Sequence, residues 1–171
     1  MAPPHESALA ISFPRLRPLS LPIISFSLRD HSGSGEEESH KALETVLKLY
    51  TAIRKRNIID ISDIIAKECR CISNLISSPQ KFNGKQQVLN FFNSLMMSLG
   101  NSNIEFVVQP TIQDGLTIGV SWKLECKNTH IPVGEGFSFH ICHVYQGKVV
   151  IRNVEMFFRE PIEPLQMVRN V

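Results

Sequence analysis

The chain has 171 residues, of which 43% are hydrophobic, so it is long enough for one domain with a sizeable core. Its 18 basic and 16 acidic side chains leave a formal charge of only +2, without a long block of either sign. This balance argues against a nucleic-acid partner. The apolar runs are far shorter than the roughly 20 residues that cross a bilayer as a helix, so we expect no membrane span.

The first 35 residues differ in composition from the rest of the chain. They contain five of the ten prolines and seven serines, and Glu6 is their only acidic residue before Asp30, although three arginines are present. An acid-poor, serine-containing leader with scattered arginines is typical of an organelle transit peptide. Because prolines oppose the helix of a mitochondrial presequence, we predict the chloroplast stroma, with the mitochondrion as the alternative. We therefore predict a disordered transit-like leader over 1–35 and a folded domain over 36–171. A merely disordered tail is the simpler interpretation of the leader.

The folded part is expected to open with an amphipathic helix. Five apolar residues recur at helical spacing on one face, namely Leu43, Val46, Leu47, Tyr50 and Ile53. Acidic residues 36–38 precede this helix and basic residues 54–56 end it. That arrangement complements the helix macrodipole, which explains the basic triplet more simply than phosphate binding does.

Two further helices are predicted. Asp60 can cap a short helix that runs through about Cys69, and residues 71–73 can then form a short strand. Gly84 opens the third helix, and Gly100 is placed to end it as a C-terminal cap. The third helix carries a wide apolar stripe of Val88, Phe91, Phe92, Leu95 and Leu99.

The next segment predicts an antiparallel hairpin whose register depends on the loop. A three-residue loop, 113–115 with Gly115 left-handed, pairs Phe106 with Trp122 and gathers the alternating apolar residues on one face. A two-residue turn at 114–115 places the two apolar sets on opposite faces. Pro110 needs an edge strand or a bulge, because it cannot donate a hydrogen bond to a ladder.

A second hairpin is predicted with a two-residue turn at Gln146 and Gly147, which pairs Tyr145 with Lys148 and Phe139 with Val154. The face expected to meet the helices carries Phe137, Phe139, Ile141, Val150, Val154, Met156 and Phe158. The other face carries Ser138, His140, Cys142, Asn153 and Glu155 among apolar residues. Such a mixed face suits a subunit interface.

This order of three helices and long strands resembles the nuclear-transport-factor-2-like superfamily, also called SnoaL-like or polyketide-cyclase-like, over about Ser39 to Pro161. Five phrases in particular resemble a plant subgroup with plastid leaders: 82–85, 113–115, 119–125, 136–139 and 147–152. The resemblance implies an α+β cone-shaped half-barrel, with three N-terminal helices packed on a curved antiparallel sheet and a pocket at the open end. It also implies dimerisation through the convex face of the sheet. Members include isomerases, cyclases, dehydratases and non-catalytic binders.

The predicted interior of the cone is aliphatic and aromatic, and no carboxylate points into it from the hairpins. We therefore predict no catalytic residue and an apolar ligand-binding pocket lined by Tyr50, Phe91, Phe92, Phe106, Trp122, Phe139, His143 and Met156. His140 and Glu155 are expected as neighbours on the convex face, outside the pocket. The predicted protein is a non-catalytic plastid module that forms a homodimer and binds a small hydrophobic ligand or a partner protein. The alternative is a small isomerase- or cyclase-like enzyme that acts on a hydrophobic carbonyl compound, with His143 or a helix carboxylate (Asp60, Asp63 or Glu68) as base.

No cofactor or metal is predicted. The four cysteines, Cys69, Cys71, Cys126 and Cys142, lie among apolar residues, as packed thiols do. In the 140–143 segment, the His140 and Cys142 side chains share one strand face and His143 points away, so these residues do not form a zinc site. The 134–136 segment lacks the further glycine and the lysine of a phosphate-binding loop.

Overall fold

A computed structural model describes residues 33–76 and 78–159. Its elements, in chain order, are α1 (Ser34–Lys55), α2 (Ile58–Ile64), β1 (Ile65–Ser73), β2 (Gln80–Asn83), α3 (Lys85–Asn101), β3 (Ile104–Asp114), β4 (Thr117–Cys126), β5 (Pro132–Tyr145) and β6 (Lys148–Phe158). Nearly all of the predicted leader lies outside the described residues. So do residues 160 and 161, the last two of the segment that resembles the superfamily. Helix α1 begins at Ser34, inside the predicted leader. No helix in the described part of the chain is both long and apolar enough to cross a membrane.

The strands form one curved, unclosed sheet in the order β2-β1-β6-β5-β4-β3, with the three helices packed on it. The predicted α+β class is therefore confirmed. The sheet is not wholly antiparallel, since β1 pairs with β6 in parallel and the other neighbours are antiparallel. Edge strand β3 contains Pro110, and a register shift follows at Thr111, so the proline lies at a sheet edge beside a bulge as expected.

The second helix differs from its prediction at both ends. Its N-cap is Asn57, whose side-chain oxygen accepts hydrogen bonds from the backbone N–H groups of Ile59 and Asp60 at 3.1 and 3.2 Å. Asp60 therefore lies in the first turn of α2 and is not its cap. The helix ends at Ile64, and β1 follows at once. Pairing with the distant β6 favours a strand here over a longer helix. The short strand predicted at 71–73 is the end of this longer strand, β1.

Helix α3 begins after Gly84 as predicted, and its whole apolar stripe is buried. Gly100 is not its cap, because the helix continues to Asn101 and the left-handed residue is Asn103, with φ of 55°. Gly100 instead packs against the guanidinium of Arg56, which a Cβ atom at position 100 would strike.

The first hairpin has the predicted face but a different register. Gly115 is left-handed, with φ of 55°, yet Asp114 pairs with Thr117, so the loop has two residues, Gly115 and Leu116. Phe106 consequently lies opposite Leu124 and not opposite Trp122. Beyond the bulge at Thr111 the shift is two residues, so Phe106, Trp122 and Leu124 still share one face. Between the bulge and the turn the shift is three residues, so Ile112 lies opposite Gly119 and is 45% exposed, and the prediction that it joins this face is wrong.

The second hairpin has the predicted turn, with Tyr145 paired to Lys148, but a bulge at Arg152 changes the pairing beyond it. Phe139 lies opposite Glu155 and not opposite Val154, and His140 takes the place opposite Val154. The extra residue exchanges the two faces of β5 and of the part of β6 between the turn and the bulge. The prediction that Phe137, Phe139 and Ile141 meet the helices is therefore wrong, and so is that for Val150, which lies opposite His143.

Candidate functional site

His140 is the polar group at the centre of the protein. It projects from β5 toward the helices, and none of its surface is exposed. Ser138, two residues earlier on the same strand, is equally buried. We expected both on the convex face, and the bulge at Arg152 is the reason for the error. The sequence carries no local signal for that bulge, so simple alternation along the hairpin could not place these residues.

The buried polar groups form a chain of contacts. The indole N–H of Trp122 donates to Ser138 Oγ at 2.7 Å. The Ser138 side chain interacts with the Tyr50 oxygen, and the Tyr50 hydroxyl lies 3.1 Å from His140 Nε2. The indole can only donate, whereas the direction of the Tyr50–His140 hydrogen bond depends on the tautomer of the imidazole.

Burial decides the charge states of this chain. It lowers the pKa of His140 to about 3, because no carboxylate stabilises the charged ring. Burial also raises the pKa of Tyr50 above its usual value, against a smaller opposing effect of the Ser138 hydrogen bond. Both groups are therefore neutral at physiological pH. Nδ1 of His140 has no hydrogen-bond partner among the described residues, which leaves one buried polar atom unsatisfied.

Two of the predicted pocket residues, Tyr50 and Trp122, belong to this chain, and Phe106 packs against both. The Tyr50 and Phe106 rings lie 5.6 Å apart, and the Phe106 and Trp122 rings 5.1 Å apart, all edge to face. Met156 is also fully buried. Phe91 and Phe92 are buried on α3 and contact each other at 5.2 Å. The structure therefore places these six residues in the apolar interior.

The remaining two predicted pocket residues lie elsewhere. Phe139 and His143 alternate with the buried His140 and Cys142 along β5, so they are half-buried on the opposite face of the sheet. Glu155 is paired with Phe139 on that face as well. A His140–Glu155 dyad is therefore absent, because the two side chains lie on opposite sides of the sheet. The three carboxylates predicted as alternative bases do not enter the interior either. Asp63 and Glu68 are exposed, and Asp60 is half-buried on α2.

The face of the sheet that points away from the helices, called the outer face below, is rich in aromatic side chains. Phe137 lies 5.7 Å from Phe139 and 5.9 Å from Phe157 between ring centroids, and 37% of its surface is exposed. We call these three residues the aromatic trio. A hollow of about 430 Å³ beside it is lined by residues of β3, β4 and β5, including Val107, and by Arg159. A second hollow of about 390 Å³ lies at the bulge of Arg152.

The cysteines and the potential metal ligands do not point to a further site in the described residues. All four cysteines are free thiols. Burial raises the pKa of Cys69 and of Cys142 to about 12, and it raises the pKa of Cys71 as well. Within residues 33–76 and 78–159, no three His, Cys, Asp or Glu side chains are grouped as metal ligands.

Solved structures identify the fold. A cystatin-like-fold protein of unknown function from Nostoc punctiforme superposes with a TM-score of 0.61 and 11% identity, over 78% of this chain and 98% of that one. A candidate isomerase of the SnoaL-like family from Agrobacterium tumefaciens gives a TM-score of 0.55 and 17% identity, over 71% and 99%. A candidate calcium/calmodulin-dependent protein kinase type II association domain from Thiobacillus denitrificans gives 0.58 and 15%, over 68% and 93%. No family model matches the sequence, and no curated protein does.

These likenesses define the nuclear-transport-factor-2-like fold, shared by SnoaL-like proteins, and no more than the fold. At identities this low, function has to be inferred from the chain's own residues. Two features stand out: a sealed polar chain inside the cone and an aromatic outer face.

Proposed function

We propose that the protein is a non-catalytic module that self-associates through the outer face of its sheet. The aromatic trio carries this proposal. Phe137 contacts both of the other rings and is 37% exposed, so the trio leaves apolar surface in water, and a partner surface would remove that cost.

A second copy is the partner that fits this face. Charges of both signs lie on one side of the trio, where Lys123, Arg159, Glu125 and Glu135 line the adjacent hollow. In a two-fold contact the same patch meets itself, so a patch with interleaved charges can bring opposite charges together. A face of one sign would repel its own copy. The name of the Thiobacillus denitrificans domain refers to association, which is in keeping with this proposal.

The sealed interior supports a non-catalytic role over the isomerase-like alternative. A general base must come within hydrogen-bonding distance of the proton that it removes. His140 has no exposed surface, and its lowered pKa makes it a weak base. The other candidate base, His143, lies outside the interior, on the outer face. A hydrophobic ligand among Tyr50, Phe106 and Trp122 stays a prediction, since it would have to displace packed side chains.

Self-association can be tested with the full chain by light scattering at micromolar concentration. We expect a mass of twice 19.3 kDa for the wild type and the monomer mass for the double variant Phe137→Thr/Phe157→Thr. Threonine keeps strand propensity while it removes the rings. Ile59→Thr is the matched control, because Ile59 is 70% exposed on α2, away from the sheet. A monomeric wild type would refute the proposal.

We also propose that the module works in the plastid, as the composition of residues 1–35 suggests. A fluorescent protein fused after residue 40 should accumulate in chloroplasts of plant cells. Diffuse cytosolic fluorescence would contradict the plastid assignment, and a mitochondrial signal would favour the alternative compartment.

A further inference from the structure

The second hollow on the outer face is built differently from the aromatic region. Its cavity of about 390 Å³ is lined by Glu68, Arg70, Ile141, Arg152 and Asn153. Ile141 lies four residues along β5 from Phe137, which corresponds to about 13 Å at the usual strand rise. The hollow and the first member of the aromatic trio are therefore separate regions of one face.

The hollow opens where the sheet is irregular on both sides of β6. The β1–β6 register shifts between Ile65 and Arg70, and the β5–β6 register shifts between Ile141 and Cys142. Arg152 is the extra residue of β6, and it is exposed while its neighbour Asn153 is half-buried on the same side. Bulges are found beside binding sites because they re-aim side chains. Here the register shifts on the two sides of β6 lie close together, and the consecutive polar residues Arg152 and Asn153 both line the hollow.

The two arginines of the hollow lack counter-ions. Neither Arg70 nor Arg152 has a carboxylate oxygen within 4.0 Å in the part of the chain that the structure describes, where the ion pairs involve other residues. The nearby Glu155 accepts a hydrogen bond from the Asn153 amide at 3.2 Å instead. Arg70 and Asn153 are direct neighbours across the β1–β6 pair. Two guanidinium groups at one cavity form a ready site for an oxyanion, which they can bind in bidentate fashion.

The other lining residues narrow the class of ligand. Ile141 is 43% exposed and offers an apolar wall. The Glu68 carboxylate disfavours a ligand with two negative charges, and it can accept a hydrogen bond from a hydroxyl group. We propose that the hollow binds a small monoanionic organic acid, with its carboxylate between Arg70 and Arg152 and its apolar part against Ile141. The site lies on the same face as the proposed self-association surface but uses none of the residues of the aromatic trio.

Titration calorimetry of the full chain with 4-hydroxybenzoate at low ionic strength tests the site. Arg70→Gln and Arg152→Gln should each weaken binding roughly tenfold, as expected for loss of a charge-assisted hydrogen bond. Arg54→Gln is the matched control, since Arg54 is exposed on α1, on the helix side of the sheet and away from both hollows of the outer face. Binding by this control should equal that of the wild type. Glu68→Gln should improve binding of inorganic phosphate.

Four results would overturn the assignment. The first two are no heat of binding with millimolar 4-hydroxybenzoate and equal binding of the neutral 4-hydroxybenzyl alcohol. The other two are an equal loss of binding in Arg54→Gln and tighter binding of phosphate than of the acid by the wild type. Light scattering and thermal unfolding of each variant separate loss of the site from loss of assembly or folding. An unchanged mass and midpoint with weakened binding would support the site whatever the mass of the wild type.

Discussion

The Tyr50 hydroxyl lies 3.1 Å from Nε2 of His140, and the two rings meet edge to face at 5.6 Å in a fully buried position. This pair joins α1 to the middle of β5, across 90 residues of sequence. It is also the end of the chain of contacts that begins at Trp122. This buried polar contact should affect the free energy of unfolding and its dependence on pH, and both can be measured without a ligand.

Removal of the Tyr50 hydroxyl should destabilise the protein. In Tyr50→Phe, Nε2 of His140 and the Ser138 hydroxyl lose a partner in a site without water access, which costs about 1–3 kcal/mol. Urea unfolding followed by circular dichroism measures the loss. Tyr145→Phe is the control, because Tyr145 is 55% exposed and its hydroxyl should contribute little. Equal stability of the two variants would mean that the buried contact contributes nothing.

Acid should destabilise the protein through His140. Burial lowers its pKa to about 3 in the folded state, from the ordinary value of 6.5 for an exposed histidine. The unfolded chain therefore binds a proton first, so stability is complete above pH 6.5 and falls as the pH drops toward 3. At about 1.4 kcal/mol per pH unit, the loss between about pH 6.5 and pH 5 is about 2 kcal/mol. Urea unfolding at the two pH values should show this loss of stability in the wild type and not in His140→Leu. The same pH dependence in both proteins would contradict the prediction. His143→Leu, on the outer face, should retain the wild-type dependence.

Gly136 should be intolerant of any side chain. A Cβ atom there would collide with the carbonyl oxygen of Phe157 and with the indole ring of Trp122, to which Gly136 is paired across the strands. Backbone cannot move aside as a flexible side chain can, so Gly136→Ala should cost about 1–3 kcal/mol or more. Gly35→Ala is the reverse case, since no atom lies within 4 Å and the position is helical. That variant should be as stable as the wild type or more stable by about 1 kcal/mol. Thermal unfolding distinguishes the two.

Cys126 should react with iodoacetamide before the other cysteines do. A hydrogen bond from the Thr129 side chain, assisted by backbone hydrogen bonds at 128 and 129, lowers its pKa, whereas Cys69, Cys71 and Cys142 are buried with raised values. The thiolate is the reactive form. Peptide mass mapping after brief alkylation at about pH 7.5 identifies the modified residue. Thr129→Val should slow the reaction, and modification of a buried cysteine first would contradict the prediction.

The sequence was sufficient wherever local periodicity decided the outcome. Helical spacing identified the buried stripe of α3, and Gly84 marked its start. The Gln146-Gly147 turn was correct because a two-residue hairpin loop demands residues that tolerate positive φ, and both adopt it. The α+β arrangement followed from the order of these elements.

Tertiary structure decided which way the strand residues point. A strand pattern has a period of two, so one extra residue exchanges its faces, and the bulge at Arg152 has no local signature. It turned His140 and Ser138 inward and Phe137 and Phe139 outward. Strand β1 was likewise decided by pairing with β6, more than 70 residues later, over a helical pattern that was locally plausible. Amino-acid sequence alone thus determined the fold class, the first and third helices and the two hairpins, whereas only long-range pairing made β1 a strand, placed the polar groups inside and the aromatic trio outside.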